Sequence, residues 1–525
     1  MAYNTMAFLL IFLPAALAAY QLTPERYRKV TLLAASWLYF WLMSGNLLGY
    51  LLLTTGAVYG TARLMNAPAV RKKEEDGLHL RALILGAGLV FVLGLLFYLK
   101  YDSFVISTLN RLLAWGGSSV SLTVPQILAP VGISYYTLEA VGYLLEVYWK
   151  RIAEEKDFVR LALFLSFFPQ TLEGPIARYT DTAQQLTEGK PLTAQNLESG
   201  ALRILWGLGK KMIIADRLAM IVKPIFGHYR EYQGVMILIG ALAYTMQLYM
   251  EFSGVIDIVI GTAKMFHVRL PENFRLPFLA HNASEFWRRW HISLGTWFKN
   301  YIFFPVSTSA GVKRWNRFAG KKFGRNTARI TVSAMALFPV WLANGVWHGP
   351  QWNYIFYGLY YFVIILAEVI LEPLNRKIEH SCQRIGQTRS MAAGSALRMT
   401  WNGFRIVKNW VVILVGEMFF RAASLGAGMH MFRSIFAGAE VQKLTDGTIQ
   451  GFGFSRADFL AVICGTIVVF LTELVFDRKK LDEEWILRIR TPLRWCVFYS
   501  LFFTVSVFGA YGTGYQPVDL IYAGF

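Results

Sequence analysis

Long apolar stretches recur along the whole chain, and they restrict its fold more than any other feature. A helix needs roughly 20 consecutive apolar residues to cross a bilayer. Stretches of this kind lie at about 30–62 (two passes with a break near residues 44–46), 82–99, 131–149, 199–222, 233–254, 328–347, 352–372, 402–420, 456–476 and 493–511. We therefore predict an all-α polytopic membrane protein with roughly 10–12 transmembrane helices.

Composition supports many membrane helices rather than one anchor. The 525 residues are 55% hydrophobic and 16% charged, against roughly 45–50% and about 25% in soluble domains. The apolar excess is spread over the full length, and we find no internal repeat. The apolar N-terminus, from about Met6 to Tyr20, lacks a basic region because the first charged residue is Glu25. We expect it to be a retained helix and not a cleaved signal peptide.

Three further apolar segments are shorter or are interrupted by proline, glycine and charge. They lie at 103–129, 158–176 and 286–307. Irregular backbone at membrane depth persists only where protein buries it or water reaches it. These segments therefore predict re-entrant or interfacial elements beside a cavity, within one membrane domain covering residues 1–525.

The formal net charge of +19 comes from basic loops between the apolar runs. Lysine and arginine concentrate at 21–29, 63–81, 312–329, 373–408 and 478–494. Such a distribution is typical of the cytoplasmic loops of a multi-pass cell-membrane protein, and it places both termini outside. It argues against nucleic-acid binding, since the charges lie on no polar domain. Binding of donor phosphates or anionic lipid headgroups is a second interpretation of the same charges.

Metal and disulfide chemistry have little support in the sequence. Cys382, Cys464 and Cys496 lie far apart and have no metal-ligand spacing. We expect them to fill apolar positions, and we expect no metal in the site.

One histidine lies in an aromatic, basic segment. Asn282 followed by Glu285 resembles a capping box, so a helix should begin near Ala283. If this helix is continuous, one of its sides carries Trp287, Arg288 and His291, with Arg289 beside them. Two arginines and a histidine are costly in lipid. The segment is either an amphipathic interfacial helix or the lining of an active-site tunnel.

A second histidine lies between two apolar runs, in the sequence from Asn344 through Gly345 and Trp347 to His348. Asn344 and His348 share a face if the helix extends that far, and the glycine permits a close approach of a ligand or a second helix. Acyl transfer to a hydroxyl needs a proton acceptor, and histidine has an unperturbed pKa near 6.5. The alternative is a buried histidine whose ring is satisfied by a backbone carbonyl, and the residues alone do not separate the two.

Several motifs resemble the membrane-bound O-acyltransferases, and within them the AlgI-like polysaccharide O-acetyltransferase branch. The most specific is the ordered pair Trp-Arg-Arg-Trp-His (287–291) and Trp-His-Gly (347–349). The other matching segments are 130–137, 167–170, 174–178, 247–261, 271–274, 352–353 and the closing residues 520–522 with Phe525. The resemblance covers nearly the whole chain.

The resemblance implies a fold and a reaction. The fold is a ring of helices with re-entrant elements around a central tunnel. His348 matches the catalytic histidine and His291 the second polar position, while Asp257 and Arg178 match an acidic and a basic position. Family members take an acyl group from coenzyme A or an acyl carrier protein in the cytoplasm. They pass it across the membrane, often to an extracytoplasmic partner of the SGNH-hydrolase type that acylates a polysaccharide.

From this we expect an O-acetyltransferase for a cell-surface polysaccharide. His348 is the base or a transient acyl carrier, His291 assists, and Asn344 with Trp347 lines the tunnel. Asn344 is also a candidate oxyanion donor. The anionic donor would be steered by Arg288, Arg289 or the basic residues of 312–329.

Several features leave alternatives open. Glu173, Glu251, Asn344 and residues 523–524 depart from the family pattern, which leaves the acceptor undecided. A DltB-like transfer of D-alanine to teichoic acid is the nearest rival. A polysaccharide transporter is a rival of another class, although such proteins are expected to show repeated halves.

Overall fold

The protein, in a computed structural model, is built from helices. The structure describes residues 1–75, 79–125, 127–388, 391–481 and 484–510. In these ranges the only extended pairing is an isolated antiparallel bridge between Phe274 and Trp290, which confirms the all-α prediction. The closing motif at 520–525 and the side chain of Cys382 lie outside what is described.

The chain divides into two compact units, which we describe separately. The first contains residues 1–213, 251–271 and 481–525, and the second contains 214–250 and 272–480. One long helix, Gly234–Met265, is divided between them after Met250. The prediction of a single membrane domain stays a prediction.

The connections between the helices vary in length, and the longest lie between residues 115 and 133 and between 265 and 283. In chain order they are α1 (Leu13–Leu22), α2 (Arg28–Ser44), α3 (Leu48–Met65), α4 (Pro68–Glu75), α5 (Leu80–Lys100), α6 (Asp102–Trp115), α7 (Ile133–Tyr148), α8 (Phe158–Ser166), α9 (Tyr179–Thr187), α10 (Ala194–Gly209), α11 (Asp216–Gly227), α12 (Gly234–Met265), α13 (Ala283–Arg289), α14 (Ile292–Phe298), α15 (Phe304–Ser307), α16 (Ala310–Lys322), α17 (Arg325–His348), α18 (Trp352–Thr388), α19 (Met391–Arg421), α20 (Leu425–Ser434), α21 (Thr448–Gly451), α22 (Arg456–Lys479) and α23 (Thr491–Phe508). Turns of π-helix occupy Ala7–Phe12, Lys210–Ala215 and Lys299–Phe303.

Seven helical segments of the described chain are long and apolar enough to cross a membrane. They are Glu25–Met65, Leu80–Lys100, Gly234–Met265, Arg325–His348, Trp352–Ser381, Arg456–Lys479 and Thr491–Phe508. The first of them contains both α2 and α3, as the break predicted near residue 45 requires: Gly45 has a φ of +55°, and α2 ends there. The multi-pass membrane character is confirmed, while the count of 10–12 and the ring around a tunnel stay predictions.

In the first unit, α10 packs on the second half of α12 through glycine. A Cβ atom added to Gly207 would lie 2.3 Å from the carbonyl oxygen of Gly254, and one added to Gly200 would lie 2.6 Å from that of Gly261. Only glycine permits this backbone approach. Beside it, the Lys211 ammonium meets the Glu251 carboxylate at 2.9 Å, and both side chains are fully buried. The charges compensate each other in a place where either one alone would be costly.

Candidate active site

The segment that carries His291 is two short helices and not one. Its start is as predicted: the side-chain oxygen of Asn282 accepts the backbone N–H of Glu285 at 2.7 Å, and α13 begins at Ala283. The carboxylate of Glu368, on α18, also accepts the backbone N–H of Ala283 at 2.7 Å and that of Ser284 at 3.1 Å. The first turn of α13 is therefore held by a cap and by a neighbouring helix.

The prediction of one continuous helix with Trp287, Arg288 and His291 on a single side was wrong. Helix α13 ends at Arg289, Trp290 is extended, and His291 has a left-handed backbone with φ +47° before α14 begins at Ile292. The cause is the preceding strand-like segment. The N–H of Arg275 donates to the carbonyl of Arg289, and the N–H of Ile292 donates to the carbonyl of Asn273. These bonds replace the helical ones, and the sequence did not reveal them.

Asn273 also fixes the side chains at the break. Its side-chain oxygen accepts the backbone N–H of Ser293 at 3.0 Å and the Ser293 hydroxyl at 2.9 Å. The Nδ1 atom of His291 lies 3.3 Å from the same oxygen. Burial lowers the pKa of His291, which lies outside the spanning helices, to about 3. The imidazole is therefore neutral near pH 7 and suits an orienting role better than a cationic one.

His348 is the last residue of α17, and the helix continues far enough to place Asn344 on its face. The imidazole is buried among aromatic rings. Its centroid lies 5.0 Å from that of Phe420 and 5.8 Å from that of Tyr357, with both rings perpendicular to it. The ring of Trp347 contacts both histidines, at 5.0 Å from His348 and 5.8 Å from His291. The predicted pair of histidines is thus joined through one indole.

The position of α17 is set by backbone contact with α18. A Cβ atom added to Gly358 would lie 2.2 Å from the carbonyl oxygen of Trp341 and 3.1 Å from the Cα of Gly345. One added to Gly345 would lie 2.5 Å from the carbonyl oxygen of Tyr354. The close approach predicted for Gly345 is therefore confirmed, and its partner is a helix.

Tyr357 contacts His348, and Glu417 contacts Tyr357, but neither residue was predicted from the sequence. The hydroxyl of Tyr357 donates to the Glu417 carboxylate at 2.9 Å, and both side chains are buried. Glu417 lies in an apolar run, and an ionisable residue there is by default a functional candidate. An acidic residue within an apolar run is visible in the sequence, and this signal could have identified Glu417.

Asn353 ties the start of α18 to the end of α19. Its side-chain amide donates to the carbonyls of Phe419, Phe420 and Ala422 at 3.4, 3.4 and 3.1 Å. Carbonyls at the end of a helix have no partner within it, so this amide supplies one. The bonds hold the ring of Phe420 against His348.

Some buried polar atoms near His348 have no hydrogen-bond partner among the described residues. They are the indole N–H of Trp287, the side-chain amide nitrogen of Asn344 and the second carboxylate oxygen of Glu417. The ring of Trp287 contacts Tyr361, with centroids 5.0 Å apart, and Tyr357, with centroids 6.1 Å apart. Tyr357 in turn contacts His348. Native proteins rarely leave such atoms unsatisfied except where water or a ligand binds.

The remaining predicted site residues form ion pairs or are exposed. Arg289 pairs with Glu285 one helical turn away at 2.8 Å, while Arg288 is exposed. In the first unit, Asp257 is buried and contacts Arg203 at 2.7 Å and Lys210 at 3.1 Å. There too, Arg178 is exposed and pairs with Asp181 at 3.0 Å at the start of α9.

Metal ligation has no visible basis in the part of the chain that is described. No group of three or more histidine, cysteine, aspartate or glutamate side chains there could hold a metal ion. The expectation of a metal-free site stays an expectation.

The family model for the membrane-bound O-acyltransferase family matches residues 149–386, which include both histidine motifs. The chain is 31% identical over 481 residues to the probable alginate O-acetylase AlgI of Pseudomonas aeruginosa, covering 91% of this chain and 81% of that protein. It is 27% identical over 467 residues to a peptidoglycan O-acetyltransferase of Helicobacter pylori, covering 82% and 79%.

A teichoic acid D-alanyltransferase of Bacillus subtilis is similar over less of the chain. It is 31% identical over 252 residues, which are 47% of this chain and 60% of that protein. The D-alanyl branch is therefore the more distant one. The helical architecture, the two histidine motifs and the near full-length similarity lead to one conclusion: the chain belongs to the membrane-bound O-acyltransferase family, in its AlgI-like branch, and is a multi-pass membrane O-acyltransferase.

Proposed function

We propose that the protein moves an acetyl group from a cytoplasmic thioester, acetyl-coenzyme A or an acetylated carrier protein, for O-acetylation of an extracellular polysaccharide. The names of the relatives support an acetyl group and a polysaccharide acceptor, since they are an alginate O-acetylase and a peptidoglycan O-acetyltransferase. The final acceptor hydroxyl belongs to the polymer itself or to an extracytoplasmic partner of the SGNH type that passes the group on.

The observation that carries the proposal is the environment of His348. A base must be held in one orientation, because proton transfer depends on geometry before it depends on pKa. The rings of Trp347, Tyr357 and Phe420 surround this imidazole. Polar atoms of Trp287 and Asn344 remain available nearby for a substrate.

In the proposed reaction, His348 accepts the proton of the acceptor hydroxyl while the hydroxyl oxygen attacks the thioester carbonyl carbon. The carbonyl oxygen becomes an oxyanion, and the Asn344 amide is the candidate donor that stabilises it. The intermediate then collapses, the carbon–sulfur bond breaks, and the imidazolium returns its proton to the leaving sulfur. The products are an ester and a free thiol.

His291 is the second histidine of the proposal. Its neutral ring contacts Trp347, which in turn contacts His348. We assign it a positioning role, because it reaches His348 through that indole. An alternative for His348 is transient acyl transfer to a ring nitrogen, with thiol release before the hydroxyl attacks.

The test uses inverted membrane vesicles containing the full-length protein and its extracytoplasmic partner, supplied with labelled acetyl-coenzyme A or labelled acetyl carrier protein. Replacing His348 with alanine should lower label on the polysaccharide by about 100- to 10,000-fold. The matched control is His430→Ala, since His430 is an exposed histidine of the same unit. Unchanged transfer by His348→Ala at equal protein level would remove the base assignment. Transfer of label from a D-alanyl thioester, but not from an acetyl thioester, would overturn the acetyl assignment.

A further inference from the structure

A basic pocket of about 600 Å³ lies in the first unit, and its lining includes none of the residues of the proposed reaction. It is formed where α3 and α4 meet, at the start of α5, and in the turn that follows α7. Four cationic side chains and one carboxylate line it, together with Asn66: Arg71, Arg81, Lys150, Arg151 and Glu154. We call this the α7-turn pocket.

Arg81 forms the inner wall of the pocket. Its side chain is only 3% exposed, and its guanidinium donates to the carbonyls of Val147 and Tyr148 at 3.3 Å each. These are the last carbonyls of α7, where a helix dipole is negative and a cation is stabilised. The arginine therefore anchors the turn that carries the other two cations.

Lys150 and Arg151 follow immediately in that turn. Lys150 has a φ of +57°, a left-handed backbone conformation, and the Arg151 guanidinium lies 4.5 Å from the ring centroid of Trp149. Neither forms an ion pair with any residue that the structure describes. Glu154 is held between Arg63 and Arg71 at 4.0 Å from each. The cationic surplus of the turn is thus not neutralised by this carboxylate.

We propose that the α7-turn pocket binds a phosphate group. Arginine forks match the oxygen geometry of phosphate, and charge-assisted hydrogen bonds to it are the strong ones. Because one lysine and three arginines line the same pocket, more than one of them can donate to the several oxygens of a single phosphate. The phosphate can come from an anionic lipid headgroup or from the coenzyme of the thioester donor. The site itself does not depend on the proposed transfer, although its role as a donor site would.

The experiment measures binding by calorimetry with the purified full-length protein in a neutral detergent, titrated with inorganic pyrophosphate. The pocket variant is Lys150→Asn with Arg151→Gln, because asparagine tolerates the left-handed backbone at position 150. The matched control is Lys72→Gln with Lys73→Gln. It also removes two positive charges, but from exposed positions of α4 outside the pocket lining. We expect about tenfold weaker binding by the pocket variant, since a hydrogen bond to a charged group contributes on this order, and unchanged binding by its match.

Competition then identifies the source of the phosphate. Displacement of pyrophosphate by coenzyme A assigns the pocket to the donor, and displacement by short-chain phosphatidylglycerol but not phosphatidylcholine assigns it to lipid. The His348→Ala protein should bind pyrophosphate normally, which separates failure of this site from failure of the proposed reaction. No binding by the wild type, or equal loss in both double variants, would overturn the proposal.

Discussion

The hydroxyl of Tyr357 donates a hydrogen bond to the Glu417 carboxylate over 2.9 Å, while the same tyrosine ring meets the imidazole of His348 perpendicularly. This bond joins α18 to α19 next to His348, the last residue of α17. It fixes the rotation of the tyrosine ring and so limits the positions open to the imidazole. A catalytic group held in this way needs little reorganisation during the reaction.

We predict that Tyr357→Phe lowers kcat by roughly 5- to 10-fold, the effect expected from one lost hydrogen bond. KM should stay within about twofold, because in this proposal Tyr357 positions His348 and does not touch the donor. Acetyl transfer rates at several donor concentrations give the two constants. Tyr360→Phe is the matched control, as its hydroxyl donates to the carbonyl of Val412 instead. Equal losses in the two variants would contradict the positioning role.

Glycine at 358 is required for the contact of α17 with α18. We expect Gly358→Ala to destabilise the protein by about 1–3 kcal/mol, since the new methyl group overlaps the Trp341 carbonyl and forces the helices apart. Activity should fall with it. The unfolding midpoint in detergent and the residual transfer rate measure both effects. Gly403→Ala, in α19 with no atom near the new methyl group, should be neutral or stabilising. A stable, active Gly358→Ala protein would show that the helices can separate at no cost.

Asn273 should be needed to keep His291 in place. Asn273→Ala removes the acceptor for two Ser293 donors, and we expect it to cost about 1–3 kcal/mol of stability. It should also lower transfer as much as His291→Ala does. A double-mutant cycle for the two changes, read in transfer rate, should give a coupling of about 0.5–3 kcal/mol. Asn316→Ala, at an exposed position of α16, is the control. Simple additivity of the two losses would contradict a shared function.

The buried Lys211–Glu251 pair predicts a contrast in stability. Lys211→Met alone removes the ammonium that pairs with the buried Glu251 carboxylate, and we expect it to destabilise the protein by about 3–5 kcal/mol. The double change with Glu251→Leu should recover much of that loss. Thermal unfolding of the three proteins tests this. If the double variant is no more stable than Lys211→Met, the loss does not come from the uncompensated charge.

Arg178 offers the opposite case. Its pair with Asp181 is exposed, so Arg178→Ala should change stability by less than about 1 kcal/mol. The family resemblance assigns Arg178 to a basic position that family members share. The acetyl transfer rate of the Arg178→Ala variant therefore decides whether Arg178 also acts in the site. A large loss of transfer without loss of stability would support a role in the site, and normal transfer would leave Arg178 with a structural role beside Asp181.

The sequence predicted the features that depend on local pattern. Apolar runs located the seven described segments that are long enough to cross a membrane, the Asn282 cap located the start of α13, and the spacing of Asn344 and His348 placed them on one helix face. Each follows from residues within a few turns of one another. The small side chain at Gly345 indicated a close approach as well, although not its partner.

What the sequence did not predict depends on residues distant along the chain. The break before α14 is made by hydrogen bonds from 273–275, and helical periodicity contains no trace of them. The bond between Tyr357 and Glu417 joins residues 60 positions apart. Glu417 could have been singled out as an acid in an apolar run, but its partner could not.

The glycine contact between α17 and α18 has a consequence for how such enzymes diversify. Main-chain atoms define the separation of these two helices, so it does not change when surrounding side chains grow or shrink. Residues that face a new polymer or a new acyl group can therefore be exchanged while His348 keeps its distance from Tyr357. Changes of substrate in this scaffold need not disturb the proton-transfer geometry that we propose for His348.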